Sequence, residues 1–295
     1  MGASGKQRPL LGAHTSIAHG LFQAVLHGEK IGCDIVQLFV KSPRQWSAAP
    51  LSDTDVALFR EAEQRTGVKG MMAHASYLVN LASSDDRLYE RSVAALSEEY
   101  ERCGRLGIPY LIVHPGSYKG ELREAGVERV ARALARVARG QTKILRGQTK
   151  ILIENTAGQG KSLGTTIEEL ELIIKECREG HHLGICFDTQ HAFAAGYDLS
   201  SPKKYEAFWR KVDRRIGLDK VLAFHLNDSK TGLGSFVDRH ERIGRGKMDK
   251  TVFQLLLNDR RFWGRPMSIE TPKGKGYRYD MKAINILRSW IRKRG

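Results

Sequence analysis

The chain has 295 residues, 41% hydrophobic and 27% charged, and Lys plus Arg outnumber Asp plus Glu by 48 to 33, a formal charge of +15. No apolar run approaches the roughly 20 residues of a membrane span, and the opening MGASGKQRPL lacks the apolar core of a secretory signal, so a membrane helix is excluded and the cytoplasm is expected. Cys33, Cys103, Cys177 and Cys186 form no CxxC pair, which argues against a disulfide framework or a cysteine zinc site, while the cationic excess favours a polyanionic partner such as nucleic acid.

After a polar tail over residues 1–8, short apolar runs recur at 10–13, 35–40, 71–73, 110–113, 151–153, 184–187, 221–224 and 267–269. Each is too short for a helix, and their β-branched and aromatic content suits strands buried on both faces of a parallel sheet. Between them lie segments with helical spacing: Val127, Val130, Leu134 and Val137; Ile167, Leu170, Ile173, Ile174 and Cys177; Met281, Ile284, Leu287 and Ile291. Eight strand–helix alternations without a linker predict an α/β fold, a single (β/α)₈ TIM barrel over 1–295, with an open doubly wound sheet as the alternative. Residues 140–146 (GQTKILR) and 147–152 (GQTKIL) are a tandem duplication, of which only the second copy leads into Glu154. The first copy is therefore expected to lengthen a connection on the face away from the site, and to be functionally silent.

The strand ends carry the chemistry. Reading the last residue of each run gives His14, His74, His114 (in HPGS), Glu154 (in ENTAGQG), Asp188 (in DTQHAFAAGYD), His225 (in HLNDSK) and Glu270 (in ETP), and the loops add His191, Asp238 and His240. In a barrel all strand C-termini open on one face, so these side chains become neighbours. Imidazoles and carboxylates without thiolates suit zinc or manganese in a hydrolytic site, and so many donors exceed what one tetrahedral ion uses, so two or three ions are implied. Adjacent buried carboxylates would repel each other unless cations lay between them. By contrast His181 and His182 precede their strand and belong to the opposite face. GRGK at 244–247 and AGQGKSLG lack the Walker spacing, although their backbone amides remain available to a phosphate. The terminal RSWIRKRG reads as the solvated face of the last helix.

Taken in order, HPGS, ENTAGQG, DTQHAFAAGYD, HLNDSK, DRHERIGRGK and ET resemble the endonuclease IV family of abasic-site endonucleases over essentially the whole chain. That resemblance implies three zinc ions, with manganese as an alternative at one position: His74, His114 and Glu154 on one, Glu154, Asp188, His225 and Glu270 on a second, and His191, Asp238 and His240 on the third. It implies hydrolysis of the phosphodiester 5′ to an abasic site in double-stranded DNA, leaving a 3′-hydroxyl and a 5′-deoxyribose phosphate. Glu154 would be the bridging ligand and Glu270 the residue that orients or deprotonates the nucleophile. It further implies DNA contacts from Arg44 in KSPRQW, Tyr77 and Leu78 in HASYLVN, and Lys230 in HLNDSK, where a guanidinium and two wedges fill the gap left by a flipped nucleotide. Trp46 is expected to brace the Arg44 loop. Gln190 and Ala75 depart from the family pattern at positions that are not ligands. No organic cofactor and a monomer are expected. Two competing readings are a divalent-metal sugar isomerase or epimerase on the same barrel, and a non-catalytic damaged-DNA-binding protein.

Overall fold

The computed structural model describes residues 8–120, 122–140, 149–178 and 180–292. Eight parallel strands close a barrel in the order β1-β10-β7-β6-β5-β4-β3-β2. They are β1 (Leu10–His14), β2 (Ile35–Leu38), β3 (Lys69–His74), β4 (Tyr110–Val113), β5 (Lys150–Glu154), β6 (Leu183–Asp188), β7 (Val221–His225) and β10 (Pro266–Ile269). Each coincides with one of the apolar runs expected from the sequence, although β2 stops at Leu38, two residues short of its run. Two further short strands, β8 (Asp228–Ser229) and β9 (His240–Glu241), pair antiparallel after β7 and were not foreseen. At two residues each they are too short for alternation to register.

The helices are α1 (Phe22–Ile31), α2 (Asp53–Thr66), α3 (Asp86–Leu106), α4 (Arg123–Arg139), α5 (Ile167–Glu176), α6 (Thr189–Ala194), α7 (Pro202–Arg215), α8 (Lys250–Asn258) and α9 (Arg278–Ser289). Local chemistry sets their starts. Ser52 with Asp55 and Thr166 with Glu169 form capping boxes on α2 and α5, and the Asp85 carboxylate accepts the first free amides of α3. The spacing on α4 is realised, with Val127, Val130, Leu134 and Val137 all buried. On α9 the expectation fails at two positions: Ile284 and Leu287 are buried, but Met281 is exposed in the first turn, off the stripe that faces the sheet, and Ile291 lies half-buried beyond the helix end at Ser289.

The second copy of the duplication supplies Lys150, Ile151 and Leu152 to β5. The first copy lies outside the described residues, apart from Gly140 at the end of α4. His181 and His182 fall in a 3₁₀ turn that enters β6 from the end opposite the site, as expected. All four cysteines are buried thiols. Among the described residues no helix is long and apolar enough to cross a membrane.

Inside the barrel, one apolar cluster joins Ile35, Met72, Ile112, Leu152, Cys186 and Ala223. Side chains alternate along a strand, so the residue two further on faces the same way. Those residues are Gln37, His74, His114, Glu154, Asp188 and His225. β1 follows the same step from Gly12 to His14, and at Gly12 a Cβ would strike the Ile35 carbonyl oxygen, so only glycine fits there.

Candidate metal centre

Glu154 ends β5 and is fully buried, yet it meets four imidazoles. Its Oε2 lies 3.1 Å from His74 Nε2 and 3.0 Å from His114 Nε2. Its Oε1 lies 2.8 Å from His225 Nδ1 and 3.3 Å from His191 Nδ1. Glu270, at the end of β10, brings Oε2 to 3.2 Å from His225 Nδ1. Asp188 caps α6, taking the His191 amide on Oδ1, while its Oδ2 stands 3.7 Å from His225 Nδ1 and 3.9 Å from His240 Nε2. Asp238 Oδ1 sits 3.4 Å from His191 Nε2 and 3.5 Å from His240 Nε2.

The donor atoms fall into three groups, each compact enough to hold one ion: His74, His114 and Glu154; Glu154, Asp188, His225 and Glu270; Asp188, His191 and His240. The first two match the sets implied by the resemblance. In the third, Asp188 stands where Asp238 was expected, and Asp238 approaches both histidines from the solvent side, so each carboxylate flanks that pair.

The tautomers show what the cluster needs. His74 Nδ1 donates to the Ala75 carbonyl at 2.8 Å, which leaves the lone pair of Nε2 aimed at Glu154. His191 Nδ1 lies 2.9 Å from the Asn155 carbonyl, leaving Nε2 aimed at Asp238. Gln37 orients a third ring: its amide nitrogen must face the Glu270 carboxylate, at 2.6 Å, so its oxygen accepts from His225 Nε2 at 2.7 Å and the His225 Nδ1 lone pair points into the cluster. Lone pairs facing carboxylate oxygens repel unless a proton or a metal ion lies between, and His240 Nε2 is buried with no hydrogen-bond partner. This donor set of imidazole nitrogens and carboxylate oxygens fits divalent cations such as zinc.

The same conflict sets the proton affinities. Burial pushes the His74, His191 and His225 imidazoles toward neutrality, but the surrounding carboxylates, joined at His225 by the Cys186 sulfur, overcome it and raise all three above the ordinary range. Burial likewise opposes ionisation of Glu154 and Glu270, yet His225 and its neighbours hold both far below the usual carboxylate range. Asp238 falls to about 2, with burial outweighed by His191 and His240. His14 goes the other way, to about 4, because burial dominates its bond to Glu270.

A cavity of about 680 Å³ opens over the cluster, lined by Phe39, Tyr77, Lys273 and Tyr277 beside the histidines, and a second of about 350 Å³ lies across it beside Asn80, Ser117, Thr156 and Gln159. Arg44 and Tyr77 are exposed at this mouth, and Leu78 is half-buried behind Tyr77. Their two loops are tied together, for Ser76 Oγ donates to the Pro43 carbonyl at 2.7 Å and takes the Leu78 amide at 3.2 Å. Trp46 lies under the Arg91 guanidinium at 4.3 Å, bracing the Arg44 loop as expected. Lys230 is exposed at the start of the loop that leads to Asp238. Gln190 donates to the Val237 carbonyl at 3.0 Å, so this departure from the family pattern supports that loop, and Ala75 is simply buried.

One expectation needs correction. The GRGK amides are not free for a phosphate: the buried Asp228 carboxylate accepts from Gly244, Gly246 and Met248. Sequence reading also missed Gln37, Asn155 and Asn227. Asn227 Nδ2 donates to Asp188 Oδ2 at 2.6 Å and its oxygen takes the Glu270 amide at 2.8 Å, while Asn155 bridges to the Asp188 backbone. Gln37 left a signal, a lone amide within the apolar run IVQLFV; the two asparagines lie inside motifs already noted.

A family model described as xylose isomerase-like TIM barrel matches residues 27–293. A probable endonuclease 4 of Chloroflexus aggregans is 46% identical over 284 residues, covering 96% of this chain and 98% of that protein. The crystal structure of endonuclease IV from Thermus thermophilus superposes with a TM-score of 0.82 at 36% identity, covering 96% of this chain and 98% of that one. A D-tagatose 3-epimerase-like protein also superposes, with a TM-score of 0.72 over 95% of this chain and 96% of that one, but at 22% identity this likeness is one of fold alone.

Proposed function

The chain belongs to the endonuclease IV family of metal-dependent abasic-site endonucleases, and from that premise we propose that it hydrolyses the phosphodiester 5′ to an abasic site in double-stranded DNA through three metal ions. The observation that carries this reading is the convergence of three donor groups on one buried carboxylate, Glu154. The ions we assign are zinc, with manganese as an alternative at one position. Their ligands are His74, His114 and Glu154; Glu154, Asp188, His225 and Glu270; and His191, His240 and Asp238, with Asp188 adjoining the last group. When bound, such ions supply Lewis acidity toward phosphoryl oxygens and a water nucleophile at neutral pH.

The chain's own residues do the rest. Glu154 spaces the ligand groups by presenting one oxygen to His74 and His114 and the other to His225 and His191. Glu270 is held by Gln37 and Asn227 with its carboxylate at the cavity floor, suited to orienting a nucleophile or taking its proton. Arg44, Tyr77 and Leu78 fill the stack where a nucleotide leaves it, and Lys230 adds affinity for the phosphate backbone. An abasic sugar enters such a pocket without the cost of unstacking a base, which gives selectivity. Buried free thiols and the DNA substrate fit a cytoplasmic protein, acting as a monomer without an organic cofactor.

The test is cleavage of an abasic oligonucleotide together with metal analysis, using Glu270→Gln. That variant is expected to keep DNA binding and lose most turnover; undiminished turnover at full metal content would remove Glu270 from the chemistry. Conversion of ketose or aldose sugars without DNA cleavage would favour the isomerase reading, and binding without cleavage by the metal-loaded wild type would favour the non-catalytic one.

A further inference from the structure

Phe236 is half exposed, at 51%, and its backbone takes φ +54°, a left-handed conformation that is rare for a bulky side chain. Nothing in the loop is slack. The Phe236 amide donates to the Ala194 carbonyl at 3.0 Å and Gly234 to the Phe193 carbonyl at 3.1 Å, while the Thr231 and Ser235 hydroxyls meet at 2.8 Å. The Asp238 amide donates to Gln159 Oε1 at 3.0 Å. The ring rests over Gly158, where a Cβ would come within 2.8 Å of its Cδ1. Conformations of this kind persist only where the surroundings over-determine them, and folding here gains little in return, because the ring stays half in solvent.

Its place in the barrel says what the ring meets. The Phe236 loop follows β7 and the Tyr77-Leu78 loop follows β3, and in the closed strand order these two strands stand four apart by either route. Packed on Gly158 after β5 and bonded to Ala194 after β6, Phe236 therefore rises from a different arc of the mouth than Tyr77 and Leu78. Leu233, 46% exposed, lies on the same loop, and the exposed cation Lys230 and the cation Arg239 bracket it. One exposed ring and a leucine bracketed by cations beside a phosphodiester-cleaving centre match a base-stacking surface on a polyanion.

We propose that Phe236, with Leu233 beside it, is a stacking platform for a nucleobase of the bound DNA on the far side of the cleavage point from the one reached by Tyr77 and Leu78. This rests on the DNA reading given above. The DNA strand would thus be gripped on both sides of the ligand cluster.

The experiment uses the metal-loaded full chain and a duplex with a tetrahydrofuran abasic analogue and 2-aminopurine at the flanking nucleotides in turn. Phe236→Asn tolerates left-handed backbone and keeps the N–H hydrogen bond to the Ala194 carbonyl, whereas Phe236→Tyr keeps the ring. Phe236→Asn is expected to bind roughly ten- to a hundredfold more weakly and to lose the 2-aminopurine quench on one side only. Its single-turnover rate at saturation should stay near wild type and its melting temperature should be unchanged or higher. Phe236→Tyr should bind and quench as wild type does. Wild-type affinity and quench in Phe236→Asn would overturn the proposal, as would a lower melting temperature accompanying the loss, or a wild-type dimer that Phe236→Asn dissociates. Wild-type protein that neither binds nor cuts the duplex overturns the DNA reading as well; wild-type cleavage with an unaffected Phe236→Asn overturns the platform alone.

Discussion

The lower and upper halves of the barrel's bore are built from the same strands, two residues apart, and have opposite chemistry. Below, Ile35, Met72, Ile112, Leu152, Cys186 and Ala223 pack into a dry plug, all at 1% exposure or less. Above, Gln37, His74, His114, Glu154, Asp188 and His225 fill the same inward positions with groups that hydrogen-bond or ionise. The plug needs only itself, because apolar packing is satisfied on contact. The upper layer is satisfied only with protons or cations between its imidazoles and carboxylates, because its lone pairs otherwise face one another. Closure of the fold and assembly of the site are thus separable along one axis.

The strongest test of that division is removal of the cations or of the carboxylate that links their ligands. Chelation is expected to abolish cleavage and lower the melting temperature while leaving the far-ultraviolet circular dichroism unchanged, since ligands that bind only the native state stabilise it by mass action, about 3 to 4 kcal/mol at roughly 100 to 1,000 times Kd. Glu154→Gln should cut single-turnover cleavage by about a hundred- to a thousandfold, consistent with loss of transition-state charge stabilisation, and reduce metal content. Retained metal and cleavage would mean that the two halves differ less than their chemistry implies.

The converse cut falls in the plug. Leu152→Ala, two residues below Glu154, is expected to cost about 2 to 5 kcal/mol of stability by denaturant titration with turnover and metal content unchanged below the melting point. A matching loss of metal affinity would show that the plug also sets ligand spacing. Between the halves stands Gln37, which fixes the His225 tautomer and Glu270 together. Gln37→Leu should weaken metal binding by about 10- to 100-fold and move melting temperature little at saturating metal; unaltered affinity would leave His225 oriented by its other neighbours.

The smallest effect lies outside the bore, where Glu99 takes the Ser76 amide with Lys41 Nζ at 3.6 Å, behind the loops that bear Arg44 and Tyr77. Burial lifts its carboxyl to about 7 against an ordinary 4.5, although Lys41 pulls the other way. Between those values the native state holds a proton that the unfolded chain has lost, so this group's contribution to stability falls as pH rises from about 4.5 to about 7. The melting temperature of Glu99→Gln relative to wild type should therefore climb across that window. A flat difference would mean that Lys41 keeps Glu99 ionised throughout.

Much of this was legible in the chain itself. Apolar runs marked every barrel strand because strands buried on both faces lose alternation, and the residues closing six of those runs are candidate metal donors because parallel strands end on one face. Sequence order says nothing about which of two nearby carboxylates reaches the His191–His240 pair, and the structure sets both Asp188 and Asp238 beside it. Gln37, Asn155 and Asn227 were missed because an amide's role depends on the groups opposite it. Likewise GRGK looked open to a phosphate, whereas Asp228, 16 to 20 residues earlier, takes its amides.

By itself the sequence determined the barrel, the mouth and the identity of the donors, since these follow from short-range periodicity and from residue type. Tertiary structure alone decided which donors gather into one group, which backbone or side-chain partner each imidazole meets, and that Phe236 packs on Gly158. Those are distances across the barrel between strands remote in sequence, and they exist only once the chain closes on itself.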